Sequence, residues 1–385
     1  MRWKRLAPVA VLIVLVILIQ LVFSAADAVY YLTQLTMSAY YCLVAIGLCL
    51  LMGHTGQISL GHAGFFAIGG YTSAVLTTVN LLPHAGSGFV RFLGRIGFVV
   101  RRVDLYGEEI LSVSPWIAFL AAVILALVVA FVIGLPATRL KGHYLAMATL
   151  GFGVIIHAVA LGTAVLGESD GISGVPGFRL FLGLEVNGRL KFRVQNYYIA
   201  WFLIVAALLL AMNLIHSRVG RALRAIHGSE QAASSLGINP ARYKLTVFVF
   251  SAVLAAVGGS FAAHYNGGIG PSEATVMKSV RYVAIVAVGG MSNLWGIVLM
   301  GMLLNFLSLR GYFGSYDDAV FAAILIGIML FAPRGILRLP LLDSVRRLAG
   351  AGRGALARAG GPLAGILARR GGERKDGEAP GERHG

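Results

Sequence analysis

Charge is scarce in this sequence. Only 12% of its 385 residues are Asp, Glu, Lys or Arg, whereas a soluble globular domain carries about 25%. With 58% hydrophobic residues, that scarcity excludes a soluble enzyme and predicts a polytopic membrane protein. Cysteine is scarcer still. Cys42 and Cys49 share one apolar run, seven positions apart and so on roughly one helical face. They read as two small reduced hydrophobes, not as a disulfide or a metal pair. Acidic residues are outnumbered, 16 against 32 Lys and Arg, for a formal charge of +16. The basic residues lie between apolar runs and in the tail, where the positive-inside rule puts them, so nucleic acid is not the expected partner. No Gly-x-x-x-x-Gly-Lys-Ser/Thr occurs, so any ATP that drives this protein is bound by another subunit. His143, His157, His216 and His264 show no metal-binding spacing and are read as packing or interfacial residues. No cofactor or metal is expected, and no catalytic residue is assigned.

What the chain has in abundance is long apolar runs. A bilayer-spanning helix needs about 20 apolar residues. Runs of that kind cover 6–24, 32–52, 57–81, 115–136, 144–166, 197–216, 245–266 and 317–333. The first follows Arg2, Lys4 and Arg5 like a signal peptide, but it is longer than the 7–15 residues of a signal core and reads as an uncleaved span. The stretch 279–309 is one long helix or two short ones broken at Gly289-Gly290-Met291-Ser292-Asn293. Charge decides between them. A cytosolic N-terminus puts Arg139, Lys141 and the loop Arg218 to Lys244 inside, and only two helices over 279–309 also put the Arg-rich tail inside. The expected fold is therefore all-α and polytopic, with about ten transmembrane segments, some short or Gly-broken. Residues 1–342 form the membrane domain. Residues 83–113 hold Arg91, Arg95, Arg101 and Arg102 on the outer side and are read as a folded outer insertion; 343–385 form a basic cytosolic tail, partly disordered at its polar end.

Three motifs break the apolar pattern. Gly53 to Phe66 reads GHTGQISLGHAGFF, placing polar groups among glycines. Polar groups in hydrocarbon face a bundle interior or a water-filled path, and glycines let helices approach closely, so helix packing and path lining both fit Gln57, Ser59, Gly61, His62 and Gly64. Gly289 to Gly296 reads GGMSNLWG, with Ser292 and Asn293. Paired Gly-interrupted segments in two halves of a chain point to a midplane pathway, although the halves here show no residue-by-residue repeat. Gly171-Ile172-Ser173-Gly174 formally matches a membrane serine protease motif, but Pro176 and Gly177 follow at once and the stretch reads as a turn in an outer loop.

Between two apolar runs, Ser217 to Lys244 reads SRVGRALRAIHGSEQAASSLGINPARYK. It is basic, amphipathic and helix-forming, and a short amphipathic helix with a small face can seat in a partner's groove. The stretches GHTGQISLGHAGFFAIGGYT (53–72), RLKGHYLAMATLGFG (139–153), DGISGVP (170–176), the 217–245 segment, VAVGGMSNLWGIVLMG (286–301) and FAPRGIL (331–337), in this order, resemble permease subunits of bacterial branched-chain amino acid ABC transporters of the LivM type. The resemblance runs from about Tyr30 to Leu339. It implies a multi-pass protein of the bacterial inner membrane forming half of a translocation path. The implied partners are a second, LivH-like permease, two cytosolic ATP-binding subunits and a periplasmic substrate-binding protein. It also implies that 217–244 is the cytosolic coupling loop. The coupling pattern Glu-Ala-Ala-x-x-x-Gly is represented by Gln231-Ala232-Ala233-Ser234-Ser235-Leu236-Gly237, with Gln in place of Glu, Glu230 one position earlier and Arg224 nearby. Permeases for urea or short amides resemble this chain closely and are the alternative. A secondary transporter is the rival from another class. It would need a buried carboxylate for ion coupling, whereas Asp27, Glu168, Asp170, Glu273, Asp317 and Asp318 all fall at ends and loops of the apolar runs.

Overall fold

A computed structural model describes residues 3–84, 87, 94, 97–103, 107, 109–138, 143–312 and 314–331. All of them fall in the unit Met1–Ile336, distinct from Leu337–Gly385. The basic tail and the FAPRGIL motif beyond Phe331 lie outside the described residues, as do Arg139 and Lys141.

The helices follow the apolar runs. They are α1 (Trp3–Ala25), α2 (Tyr31–Thr55), α3 (His62–Thr78), α4 (Pro115–Ala137), α5 (His143–Gly162), α6 (Arg193–His216), α7 (Arg218–Gly228), α8 (Glu230–Ser235), α9 (Pro240–Asn266), α10 (Val276–Gly289), α11 (Leu294–Leu309) and α12 (Asp317–Phe331). Among the described residues, six helices are long and apolar enough to cross a membrane: α1, α2, α4, α5, α6 and α9. The other four apolar helices are shorter, at 17 residues for α3, 14 for α10, 16 for α11 and 15 for α12. The run 57–81 yields only α3 because 56–61 is unwound. The run 279–309 resolves into α10 and α11, broken at Gly290 to Asn293.

The chain is not purely helical. The second part of the 83–113 insertion folds as an antiparallel hairpin, β1 (Val99–Val103) with β2 (Glu109–Val113), Val99 opposite Val113. Two-residue strands β3 (Ile172–Ser173), β4 (Phe178–Arg179), β5 (Glu185–Val186) and β6 (Gly268–Ile269) pair as β3 with β6 and β4 with β5. These strands lie in connections and satisfy backbone groups there. The Gly-Ile-Ser-Gly stretch is thus a strand edge, with Ser173 opposite Gly268.

The middle of the bundle is α2, whose membrane-length window is entirely buried by its neighbours. Around it pack α6, α9, α10 and α11, and α9 also lies along α3 and α4. Small residues permit this density. On α4, Ala118, Ala122, Ala126, Ala130 and Gly134 recur every fourth position, and all are buried. The α3–α9 crossing is backbone against backbone: a β-carbon on Gly259 would sit 1.9 Å from the Phe66 carbonyl oxygen, and one on Gly69 2.1 Å from that of Ala256. Close approach through small residues is the packing mode of helices in lipid, where burial from water offers no drive.

Polar clamps hold the end opposite residues 217–239. Arg281 on α10 pairs with Asp317 at 2.6 Å and Asp318 at 2.8 Å, and donates to the Ser308 hydroxyl at 2.9 Å. This ties three short helices together. His264 Nδ1 donates to the Pro176 carbonyl at 2.7 Å, leaving Nε2 to accept from the Ser73 hydroxyl at 2.8 Å. His157 donates to the Pro271 carbonyl at 3.1 Å and His216 to that of Met212 at 2.7 Å. His157 and His264 thus tie connections to the bundle as packing residues do, whereas His216 is exposed and bonds within its own helix.

Candidate functional site

The candidate residues fall into three places. The first is the unwound turn between α2 and α3. Gly56 ends α2 in a left-handed conformation (φ 69°), its N–H returning to the Met52 carbonyl and that of Gln57 to the Leu51 carbonyl, which is the glycine stop of a helix. The chain then runs without helix or strand through Gln57 and Ser59, both buried, to His62, which is fully buried. His62 is held between two hydroxyls, Ser59 Oγ at 3.0 Å on Nδ1 and Ser251 Oγ of α9 at 2.7 Å on Nε2. Gln57 accepts from the Thr55 hydroxyl at 3.2 Å. The Leu60 N–H donates to Thr149 Oγ1 on α5 at 3.0 Å, and the Ala63 N–H to Ser279 Oγ on α10 at 3.2 Å. Gly61 and Gly64 face α5: a β-carbon on Gly61 would lie 2.5 Å from the Thr149 carbonyl oxygen, and one on Gly64 3.1 Å from Phe152. Of the two sequence readings of this motif, helix packing accounts for these contacts.

The second place is the break between α10 and α11. Met291 leans on α2, where its carbonyl accepts from Cys49 Sγ at 3.3 Å and a β-carbon on Gly53 would come within 2.0 Å of it. Asn293 is half-buried and Ser292 exposed. The two Gly-broken segments, about 240 positions apart in sequence, therefore touch through α2.

The third place is the 217–244 segment. Its punctuation is written in its caps. Ser217 accepts from the N–H groups of Val219 and Gly220 to start α7, Ser229 from Ala232 to start α8, and Asn239 from Arg242 to start α9. On α7, Gly220, Ala222, Leu223 and Ile226 face the bundle, while Arg218, Arg221, Arg224 and His227 form the outward row. His227 Nδ1 lies 3.1 Å from where a β-carbon on Gly56 would be, so α7 sits directly on the end of α2. On α8, Ala233 is buried (1% exposed), and Glu230 reaches back to pair with Lys244 of α9. Gln231, Ala232, Ser234, Ser235, Leu236 and Gly237 face outward. The sequence pattern grouped Ala232 and Ala233 as one small face, but the helix splits them.

Sequence reasoning missed a fourth feature, at the end opposite the 217–244 segment. A cavity of about 300 Å³ lies between α2, α3, α9 and the 266–273 connection. Tyr41, Glu273 and neighbouring Lys278 form its polar side: Glu273 Oε1 accepts from the Tyr41 hydroxyl and from Lys278 Nζ, both at 3.1 Å. The ammonium of Lys278 also lies 4.6 Å from the centre of the Tyr41 ring. The signal in the sequence was a lone acid five positions before a lysine at the start of an apolar run, which reads equally well as an ordinary helix end. Among the described residues, no group of three or more His, Cys, Asp or Glu is placed to hold a metal.

Residues 30–332 match the family described as branched-chain amino acid transport system / permease component. Among curated proteins, the chain is 30% identical over 323 residues to the high-affinity branched-chain amino acid transport system permease protein LivM of Escherichia coli (strain K12), covering 78% of this chain and 68% of that one. It is 28% identical over 325 residues to LivH of the same organism, covering 82% and 98%. It is 26% identical over 328 residues to BraD of Pseudomonas aeruginosa, again covering 82% and 98%. No solved structure matches.

Proposed function

Because the chain belongs to the permease component family of branched-chain amino acid transport systems, we propose that it forms half of the path of an ATP-driven importer that carries branched-chain amino acids across the bacterial inner membrane. The other half is a second, LivH-like permease. Two cytosolic ATP-binding subunits supply the work, and a periplasmic binding protein delivers the solute.

The observation that carries this reading is the 217–244 segment. Its α7 is anchored on the end of α2, the buried centre of the bundle, and α8 offers an outward strip containing Ala232, Leu236 (79% exposed) and Gly237. A force applied to that strip reaches α2 through the contact of His227 with Gly56, and reaches α9 through Glu230 and Lys244. This is the arrangement a permease needs when its motor is a separate protein. The ten-span topology belongs to the same proposal. With α3, α10, α11 and α12 counted as spans, 217–239 and both termini share the cytosolic face, and the β1–β2 hairpin lies on the periplasmic one. Across α1 to α6 and α9 to α12, the carboxylates among the described residues are Asp317 and Asp318, in the first turn of α12. That favours external ATP over a mid-span ion site.

The test is reconstitution in proteoliposomes. With the second permease, the ATP-binding subunits and the binding protein, ATP should drive L-leucine accumulation. Liposomes holding this chain by itself should accumulate none under a proton or sodium gradient. Gradient-driven accumulation by the chain alone would remove the proposal.

A further inference from the structure

Resting on the importer reading, we infer that the cavity beside Glu273 is a stopping site for the solute, and that it selects an apolar side chain carrying an ammonium group. Its volume, about 300 Å³, is at the small end of ligand pockets and suits a metabolite. The floor is apolar and buried, from Met37 on α2, Phe66 on α3 and Ala262 on α9. The rim is polar and open, with Asp170 exposed. The ionisable carboxylates that line it are Asp170 and Glu273; Lys278 at its edge offsets the charge of Glu273, which leaves Asp170 as the net negative charge of the lining. A cavity so charged disfavours free anions and attracts cations.

Glu273 supplies the recognition element. Its Oε1 is engaged by Tyr41 and Lys278, and that pair of donors holds this oxygen. Its Oε2 is buried and has no hydrogen-bond partner among the described residues. A carboxylate oxygen left without a donor is costly, and rotation of the carboxylate toward the cavity would let an incoming ammonium supply the missing donor. The same ammonium would lie beside the Tyr41 ring, a favourable surface for a cation. The apolar part of the solute then covers Met37, Phe66 and Ala262. A neutral amide or urea offers the cavity no cation and leaves the apolar floor uncovered, so the cavity distinguishes between substrate classes that the sequence resemblance leaves together.

The test uses a cysteine at the rim. Ser272 is exposed and lines the cavity, while Cys42 and Cys49 are buried, so in Ser272→Cys the new thiol is the reactive one. In the assembled transporter, a cationic methanethiosulfonate reagent should label Ser272→Cys about tenfold faster than an anionic one, a difference of 1.4 kcal/mol. L-Leucine should slow labelling several-fold. 4-Methylpentanoate, the same carbon chain without the ammonium, should not slow it. Adding Glu273→Gln should abolish the leucine effect, and Glu273→Asp should retain part of it. Normal L-leucine uptake together with labelling indifferent to leucine and to Glu273→Gln would overturn the stopping site and leave the importer reading standing. Leucine protection in a transporter that accumulates no L-leucine would do the reverse.

Discussion

The carbonyl oxygen of Met291 occupies the space that a side chain on Gly53 would need, 2.0 Å from where its β-carbon would lie. The contact joins the two Gly-broken segments of the chain, one at the end of α2 and one between α10 and α11. It also explains why α10 and α11 are short. The chain turns where α2 has no side chain, and the turn is held by Cys49 Sγ donating to the same carbonyl at 3.3 Å.

Gly53→Ala should therefore damage the permease out of proportion to the single carbon added. Backbone, not a flexible side-chain tip, stands in the way, and overpacking of a fitted site costs about 1–3 kcal/mol. Uptake and the melting temperature of the purified permease should both fall. Gly151→Ala on α5, where nothing lies within 4 Å of the new carbon, should leave both unchanged. Equal behaviour of the two variants would mean that the turn is free to move away from α2.

The coupling strip predicts a split between neighbouring alanines. Ala232→Trp adds bulk to the outward face and should weaken co-purification of the ATP-binding subunits or uncouple ATP hydrolysis from uptake, with permease abundance normal. Ala233→Trp instead forces bulk into the permease, because Ala233 is 1% exposed, and should lower abundance in membranes. Gly237 is a poor probe of docking, since its φ of +78° strains any side chain placed there. Transport and assembly at wild-type level in Ala232→Trp would make α8 a solvated loop.

The sequence was legible where one physical signal dominated. Apolar length located the long helices within a few residues, whereas the caps Ser217, Ser229 and Asn239 that start α7, α8 and α9 came from the structure. It was less legible where partners come from far along the chain. Gly61 and Gly64 read as path or packing until α5 was seen against them. Ala232 and Ala233 looked equivalent because adjacent small residues carry no mark of which one faces inward. Glu273 passed as a helix-end acid because its partner Tyr41 is 232 positions away. The β1–β2 hairpin lay within a segment whose arginines offered a charge anomaly but no strand period strong enough to read.

Ser251→Ala should loosen the junction of three helices. Its hydroxyl meets His62 Nε2 at 2.7 Å, and a β-carbon on Gly47 of α2 would lie 2.7 Å from the same oxygen. Hydrogen bonds between membrane helices contribute about 0.6 kcal/mol on average and up to about 1.7. The melting temperature of the purified permease should drop measurably in Ser251→Ala, and by less in Ser59→Ala, whose longer 3.0 Å contact stays within one turn of chain. A larger effect from Ser59→Ala would place the strain in the unwound turn instead.

Reporter fusions check the ten-span arrangement. A fusion after Gly350 should show only cytosolic activity, because with two crossings over 279–309 the helices α9 to α12 make four crossings and return the chain to the side of residues 217–239. A fusion within the hairpin connection at Gly107 should show only periplasmic activity. Periplasmic activity after Gly350 would reduce the count to nine and make α10 and α11 together a single crossing.

The pair of Lys244 and Glu230 gives the last prediction. The Lys244 side chain is 5% exposed and that of Glu230 is 39% exposed, so water reaches one partner and hardly the other. Breaking a fully buried pair costs about 3–5 kcal/mol. The open side of Glu230 makes the cost here smaller and partly salt-sensitive. Glu230→Gln should lower the melting temperature because it strands an ammonium among apolar neighbours. Lys244→Met should do so less, since the exposed carboxylate it frees can be hydrated. Combining the two removes the stranded charge, so the double variant should melt above Glu230→Gln alone. If stability returns but uptake does not, the pair serves to carry the motion of α8 into α9. If both return, its role is to hold α8 in place.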